Sequence, residues 1–108
     1  MKTIKILTFI ILTSVFINAS AQNDSPVPQK RTDYIKKHVS GITSDQEYKI
    51  LNIEQNCLSA LQNATNSKVK DSIRRSSDSQ IKAVLTPDQY SQYRKIKKNL
   101  PKEDKGSY

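Results

Sequence analysis

Two short segments of the same pattern constrain the fold of this chain more than any other feature. ITSDQ, residues 42–46, and LTPDQ, residues 85–89, share the order aliphatic-Thr-x-Asp-Gln and lie 43 residues apart. A Thr followed three residues later by Gln is the spacing of a capping box, in which both side chains bond free backbone N–H groups at a helix start. The motif therefore predicts two helix starts, near Ser44 and Pro87. The residues assigned to them are Ile42, Thr43, Asp45, Gln46, Leu85, Thr86, Asp88 and Gln89.

The apolar residues that surround these segments recur at helical spacing. Ile50, Ile53, Cys57 and Leu61 follow the first motif at intervals of three or four residues, which is typical of an amphipathic helix. No stretch alternates apolar and polar residues for long enough to propose a strand. The expected fold class is therefore all-α, with about four helices. Their expected ranges are residues 30–40, 44–63, 68–84 and 87–100.

Acidic residues precede basic residues by four positions at several places in these ranges. On an exposed helix face, an acidic residue four positions before a basic residue can form a stabilising ion pair with it. The pattern therefore predicts four pairs, Asp33–Lys37, Asp45–Lys49, Asp71–Arg75 and Asp78–Lys82.

Residues 1–21 have the organisation of a secretory signal peptide. Lys2 and Lys5 precede an apolar stretch over residues 6–17, and Ala-Ser-Ala ends at Ala21. We expect cleavage after Ala21 and a periplasmic location. The alternative, an uncleaved membrane anchor, needs about 20 apolar residues, which this stretch does not supply.

The mature chain that remains is poor in apolar residues. The signal segment holds 13 of the hydrophobic residues, including both Phe and the only Met, and leaves 25 in 87 residues. A core this small predicts a homodimer, because a shared interface adds buried area. We expect a disordered lead-in over residues 22–29, a helical domain over residues 30–100, and a basic flexible tail over residues 101–108.

The two motifs also carry a resemblance to a known family. LTPDQ matches the LTxxQ motif in full, ITSDQ matches it with Ile for Leu, and residues 30–100 resemble the Spy/CpxP-like family of small bacterial periplasmic proteins. The resemblance implies an all-α protein that forms an antiparallel dimer. The dimer would be a curved, cradle-like body with a basic, partly apolar concave face. Family members act as ATP-independent chaperones or as modulators of envelope-stress signalling. This chain departs from them in its lack of Met and Phe and in a Ser/Asn-rich middle.

The residues needed for catalysis or for a metal site are sparse. His38 is the only histidine and is expected to be half-buried, and no second ligand stands at metal spacing. Cys57 is expected to pack in the core, and an intermolecular disulfide is the alternative for an exported thiol. The chain is therefore expected to be no enzyme and to use no cofactor or metal.

Basic residues give the strongest signal for a binding surface. They concentrate on the fourth predicted helix and the tail, which includes Lys102 and Lys105, and a further pair lies on the third helix. A solvated face is the simplest interpretation. Unfolded or acidic client proteins, an anionic membrane or lipopolysaccharide surface, or a signalling partner are the functional alternatives, and nucleic acid is not expected for an exported protein. An aliphatic face around Ile50, Ile53, Tyr93 and Ile96 is expected partly to pack the helices together and partly to contact clients. The candidate contacts are Arg74, Arg75, Arg94, Lys95, Lys97 and Lys98.

Overall fold

The computed structural model describes residues 25–102, and this part of the chain is all-helical. The first helix, α1, spans Val27–His38, and α2 spans Ser44–Asn63. The third, α3, spans Ser67–Val84, and α4 spans Pro87–Ile96 before a single 3-10 turn at Lys97–Asn99. The expected all-α class with four helices is therefore confirmed. The predicted signal peptide, the start of the lead-in and most of the predicted tail lie outside the described residues.

The helix α1 begins earlier than predicted, so the expectation of disorder is wrong for residues 27–29. Proline is compatible with the first helical turn, because its fixed φ suits the helix and the N–H it lacks has no partner there. Pro28 is buried, and its carbonyl oxygen accepts a 2.8 Å hydrogen bond from the Thr32 hydroxyl. Two prolines that indicated a loop therefore start a helix.

Both predicted capping boxes form. The Thr43 Oγ1 accepts from the Gln46 N–H at 3.1 Å, and the Gln46 Oε1 accepts from the Thr43 N–H at 2.9 Å. Thr86 and Gln89 repeat the arrangement at 3.2 Å and 3.0 Å. Just before the first box, Gly41 has a φ of +73°, a conformation that costs glycine little. The predicted starts of α2 and α4 are confirmed.

The main core joins the four helices around an aliphatic cluster. Ile50 and Ile53 of α2 pack in it, and Tyr93 of α4 is only 2% exposed. Ile96 packs against the cluster from its edge. The expected packing role of this aliphatic face is therefore confirmed, and its burial leaves Ile50, Ile53 and Tyr93 little surface for contact with clients. The buried members of the cluster are Ile35, Val39, Ile50, Ile53, Ile81, Leu85, Tyr93 and Leu100.

Of the four predicted ion pairs at a spacing of four residues, only Asp45–Lys49 is present among the described contacts, at 3.1 Å. Asp71 pairs instead with Arg74, three residues away. Asp78 pairs with Lys97 on the other side of the α3–α4 junction. Tertiary neighbours compete with neighbours on the same exposed helix, and each such local pair contributes only about 0.2–0.5 kcal/mol.

Candidate functional site

A cleft of about 620 Å³ lies where residues of all four helices and the C-terminal turn converge. We call it the basic cleft. Its floor comes from α1 and α2, and its walls come from α3, α4 and the segment after α4. The residues that line it are Arg31, Glu54, Cys57, Arg74, Ser77, Asp78, Ile81, Tyr93, Arg94, Lys95, Lys97, Lys98 and Lys102.

The basic cleft carries a strong excess of positive charge. Seven of its lining residues are Lys or Arg and two are acidic. Since a concave surface of one sign concentrates the electrostatic potential, such a cleft attracts anions more strongly than the same charges on a flat face. Five of the six basic residues that were predicted to contact a partner line this cleft, and the sixth, Arg75, does not. The five are Arg74, Arg94, Lys95, Lys97 and Lys98.

An ion pair between Arg31 and Glu54 forms the floor of the cleft. The Arg31 Nε donates to the Glu54 Oε1 at 2.8 Å, and the side chains are 13% and 2% exposed. The Arg31 Nη1 also donates to the Pro101 carbonyl oxygen at 2.9 Å. Arg31 therefore links α1, α2 and the segment that carries Lys97, Lys98 and Lys102.

Burial raises the pKa of the Glu54 carboxyl, and the adjacent Arg31 guanidinium opposes that rise. A buried carboxylate is costly unless it is paired, which explains why the two residues occur together. Sequence reasoning missed both. The signal was present, because Glu54 lies four residues after Ile50 and four before Leu58, on the apolar face of α2. An acid on such a face requires a buried partner.

Asp78 fixes one wall of the cleft. Its carboxylate accepts a 2.9 Å hydrogen bond from the Tyr90 hydroxyl and lies 2.9 Å from the Lys97 Nζ. The hydrogen bond to Asp78 raises the pKa of the Tyr90 phenol, because the neutral phenol is the donor. The Lys82 Nζ lies 5.4 Å from the centre of the Tyr90 ring, within the range of a cation–π contact. These contacts hold α3 against α4 and the turn.

Four cations of the cleft form no ion pair with any residue in the described part of the chain. Arg94, Lys95, Lys98 and Lys102 are all exposed and lie on one wall. Arg31 and Lys97, in contrast, are already paired with acids. The cleft therefore combines a floor held by an ion pair with a wall of cations that are open to a ligand.

Cys57 is buried, as expected for core packing, and is 5% exposed. Burial raises the pKa of its thiol, and a hydrogen bond with Ser77 partly opposes that rise. A thiol in this environment is a poor nucleophile. Cys57 would have to become exposed before it could form a disulfide with a second chain. The structure therefore does not support the intermolecular disulfide.

His38 is exposed, so the expectation that it is half-buried is wrong. Its ring lies against that of Tyr34 at an angle of 44°, with centroids 4.2 Å apart, at the C-terminal end of α1. Within residues 25–102, no group of three or more His, Cys, Asp or Glu side chains is placed to hold a metal ion. No helix over the same residues is long and apolar enough to cross a membrane.

The two motifs, which are separated by 43 residues in sequence, meet in space. The Gln46 Nε2 donates to the Gln89 Oε1 at 2.7 Å and to the Val84 carbonyl oxygen at 3.1 Å. The Gln89 Nε2 donates to the Ser40 carbonyl oxygen at 3.0 Å. Each glutamine thus caps its own helix and bonds the backbone that leads into the other motif. Their role is structural, and neither lines the basic cleft.

No protein-family model, curated protein or solved structure matches this chain. The features of the molecule that bear on its function are therefore the basic cleft and the two motifs.

Proposed function

We propose that this protein is an exported, Spy/CpxP-like binding protein that holds unfolded, acidic segments of other proteins in its basic cleft without ATP. One observation carries the proposal. Basic residues that are dispersed along α3, α4 and the segment after α4 line a single concave cleft. The order and spacing of the two LTxxQ-like motifs support the family assignment.

Charge is the main source of affinity in this proposal. The apolar residues Ile81 and Tyr93 line the cleft but are each only 2% exposed. They offer a client little apolar surface. Attraction between exposed cations and acidic residues is long-ranged, fast and weakened by salt. We therefore expect weak, reversible binding that delays aggregation and involves no chemical step.

A homodimer is part of the proposal. The mature chain has few apolar residues, yet two large ones are exposed. Val69 of α3 is 42% exposed and Tyr48 of α2 is 62% exposed. Contact with a second copy would cover apolar area that one chain leaves in water. Sedimentation or light scattering of the protein that starts at residue 22 measures this state directly.

An aggregation assay tests the proposed function. A chemically denatured acidic protein is diluted into buffer at low salt with an excess of the mature chain, and light scattering is followed. We expect reduced scattering, with the protection lost at high salt because the charges are screened. Undiminished scattering at low salt would contradict the proposal.

An anionic membrane or lipopolysaccharide surface is the second candidate partner. The exposed Lys95, Lys98 and Lys102 favour it, since they can reach a flat surface of negative charge. The recessed Arg31 does not reach such a surface, and its presence in the floor favours a chain that enters the cleft. Sedimentation with anionic vesicles, performed on the sample used for the aggregation assay, separates the two functions.

A further inference from the structure

We propose that the basic cleft also binds a compact polyanion that carries several phosphate groups, as a free oligophosphate or as a phosphorylated lipid headgroup. This inference concerns the same cleft as the proposed function but does not depend on client binding. Its basis is the size of the cleft, the kind of cations in it and the rigidity of its floor.

The size of the cleft suits a small ligand. Its volume of about 620 Å³ falls within the range of about 300–1,000 Å³ typical of small-molecule sites. An extended protein segment would fill it with only a few residues. A short phosphate chain would fit inside it and contact the floor and two walls together.

The arginines favour phosphate over other anions. Arg31, Arg74 and Arg94 come from three different helices and converge on the cleft. A guanidinium presents a planar set of N–H donors that matches two phosphate oxygens, and it stays charged at any physiological pH. Arg94 is exposed and forms no ion pair within residues 25–102, so its donors can turn to a ligand without breaking a protein contact.

The lysines supply the remaining charge. Lys95, Lys98 and Lys102 lie on the same wall as Arg94 and are likewise unpaired among the described residues. Seven cations against two acids leave the cleft with a net charge of +5. Several phosphates in one ligand balance this excess, whereas a single carboxylate leaves most of it uncompensated.

The floor of the cleft is already in place. Glu54 and the Pro101 carbonyl oxygen hold Arg31 by two hydrogen bonds of 2.8 Å and 2.9 Å. Binding therefore requires ordering of only the exposed wall, which reduces the entropic cost of association. The two large apolar side chains of the lining, Ile81 and Tyr93, are each only 2% exposed.

Titration calorimetry with sodium tripolyphosphate tests the inference, with citrate as a carboxylate control. The experiment compares the mature protein with two double variants that each lose two positive charges. The cleft variant combines Arg94→Gln with Lys98→Gln, and the surface variant combines Lys37→Gln with Arg75→Gln. All four side chains are exposed, and none has an ion pair within residues 25–102, so both variants are expected to fold.

We expect one tripolyphosphate to bind per chain, and to bind more tightly than citrate. The affinity for tripolyphosphate should fall about tenfold or more in the cleft variant and about twofold in the surface variant. No binding to the mature protein, equal losses in the two variants, or tighter binding of citrate would each overturn the inference. Protection in the aggregation assay is scored separately, so either proposal can fail while the other stands.

Vesicles distinguish the two sources of phosphate once tripolyphosphate binds. Binding to vesicles with phosphatidylinositol bisphosphate, whose headgroup carries several phosphates, supports a phosphorylated lipid headgroup if tripolyphosphate releases the protein from them. Binding of tripolyphosphate without binding to these vesicles supports a soluble oligophosphate.

Discussion

Gln46 and Gln89 bond each other across the junction between the starts of α2 and α4, with the Gln46 Nε2 2.7 Å from the Gln89 Oε1. Each side chain also accepts from the backbone N–H of the threonine in its own motif. Each donates to the carbonyl oxygen of a residue just before the other motif. The repeated motif therefore joins two helix starts, in addition to capping each of them.

A double-mutant cycle tests this relationship. Because the two side chains share a hydrogen-bond network, the effects of Gln46→Ala and Gln89→Ala on the free energy of unfolding should not add. We expect a coupling energy of about 0.5 kcal/mol or more, measured by urea denaturation of both single variants and the double variant. Additive effects would show that each glutamine acts only as a local cap.

Thr86→Ala should destabilise the protein by about 1 kcal/mol, because it removes the side-chain oxygen that accepts from the Gln89 N–H. Thr65→Ala is the control, since Thr65 is exposed in the α2–α3 loop. Thermal melting of both variants is the measurement. An unchanged melting temperature for Thr86→Ala would count against the capping role.

The Glu54 carboxyl should make stability depend on pH. Burial raises its pKa in the folded protein above the ordinary value near 4.5, so the native state keeps this proton at pH values where the unfolded chain releases it. The contribution of Glu54 to stability is therefore fully present below about pH 4.5 and declines as the pH rises through the folded pKa.

Glu54→Gln removes that titration while keeping an oxygen that can accept from Arg31. The free energy of unfolding of the wild type, relative to this variant, should fall as the pH rises above about 4.5. Urea denaturation across the range measures it. A constant or rising difference would show that Arg31 outweighs the effect of burial on the carboxyl.

The sequence predicted the local features of the fold well. Thr43, Gln46, Thr86 and Gln89 marked two helix starts because capping depends on residues only three positions apart. The sequence predicts too late a start for the first helix, because Pro26 and Pro28 favour a loop, although proline also suits a first helical turn.

The candidate site could be predicted only in part. The basic residues Arg74, Arg94, Lys95, Lys97 and Lys98 were recognised from their clustering in sequence. Arg31 was not, because 23 residues separate it from Glu54 and 70 separate it from Pro101. The same limit applies to Asp78, since its pairing with Lys97 depends on how α3 packs against α4. Contacts between distant segments depend on the tertiary fold, which spacing alone does not specify.

The central claim is that the basic cleft, rather than overall positive charge, binds acidic chains. Fluorescence anisotropy of a labelled, unfolded Asp- and Glu-rich peptide measures the dissociation constant at fixed low salt for the mature protein and for the two charge-matched double variants. Arg94→Gln with Lys98→Gln should weaken binding by about tenfold, against about twofold for Lys37→Gln with Arg75→Gln. Equal weakening in both variants, or no binding by the mature protein, would contradict the claim.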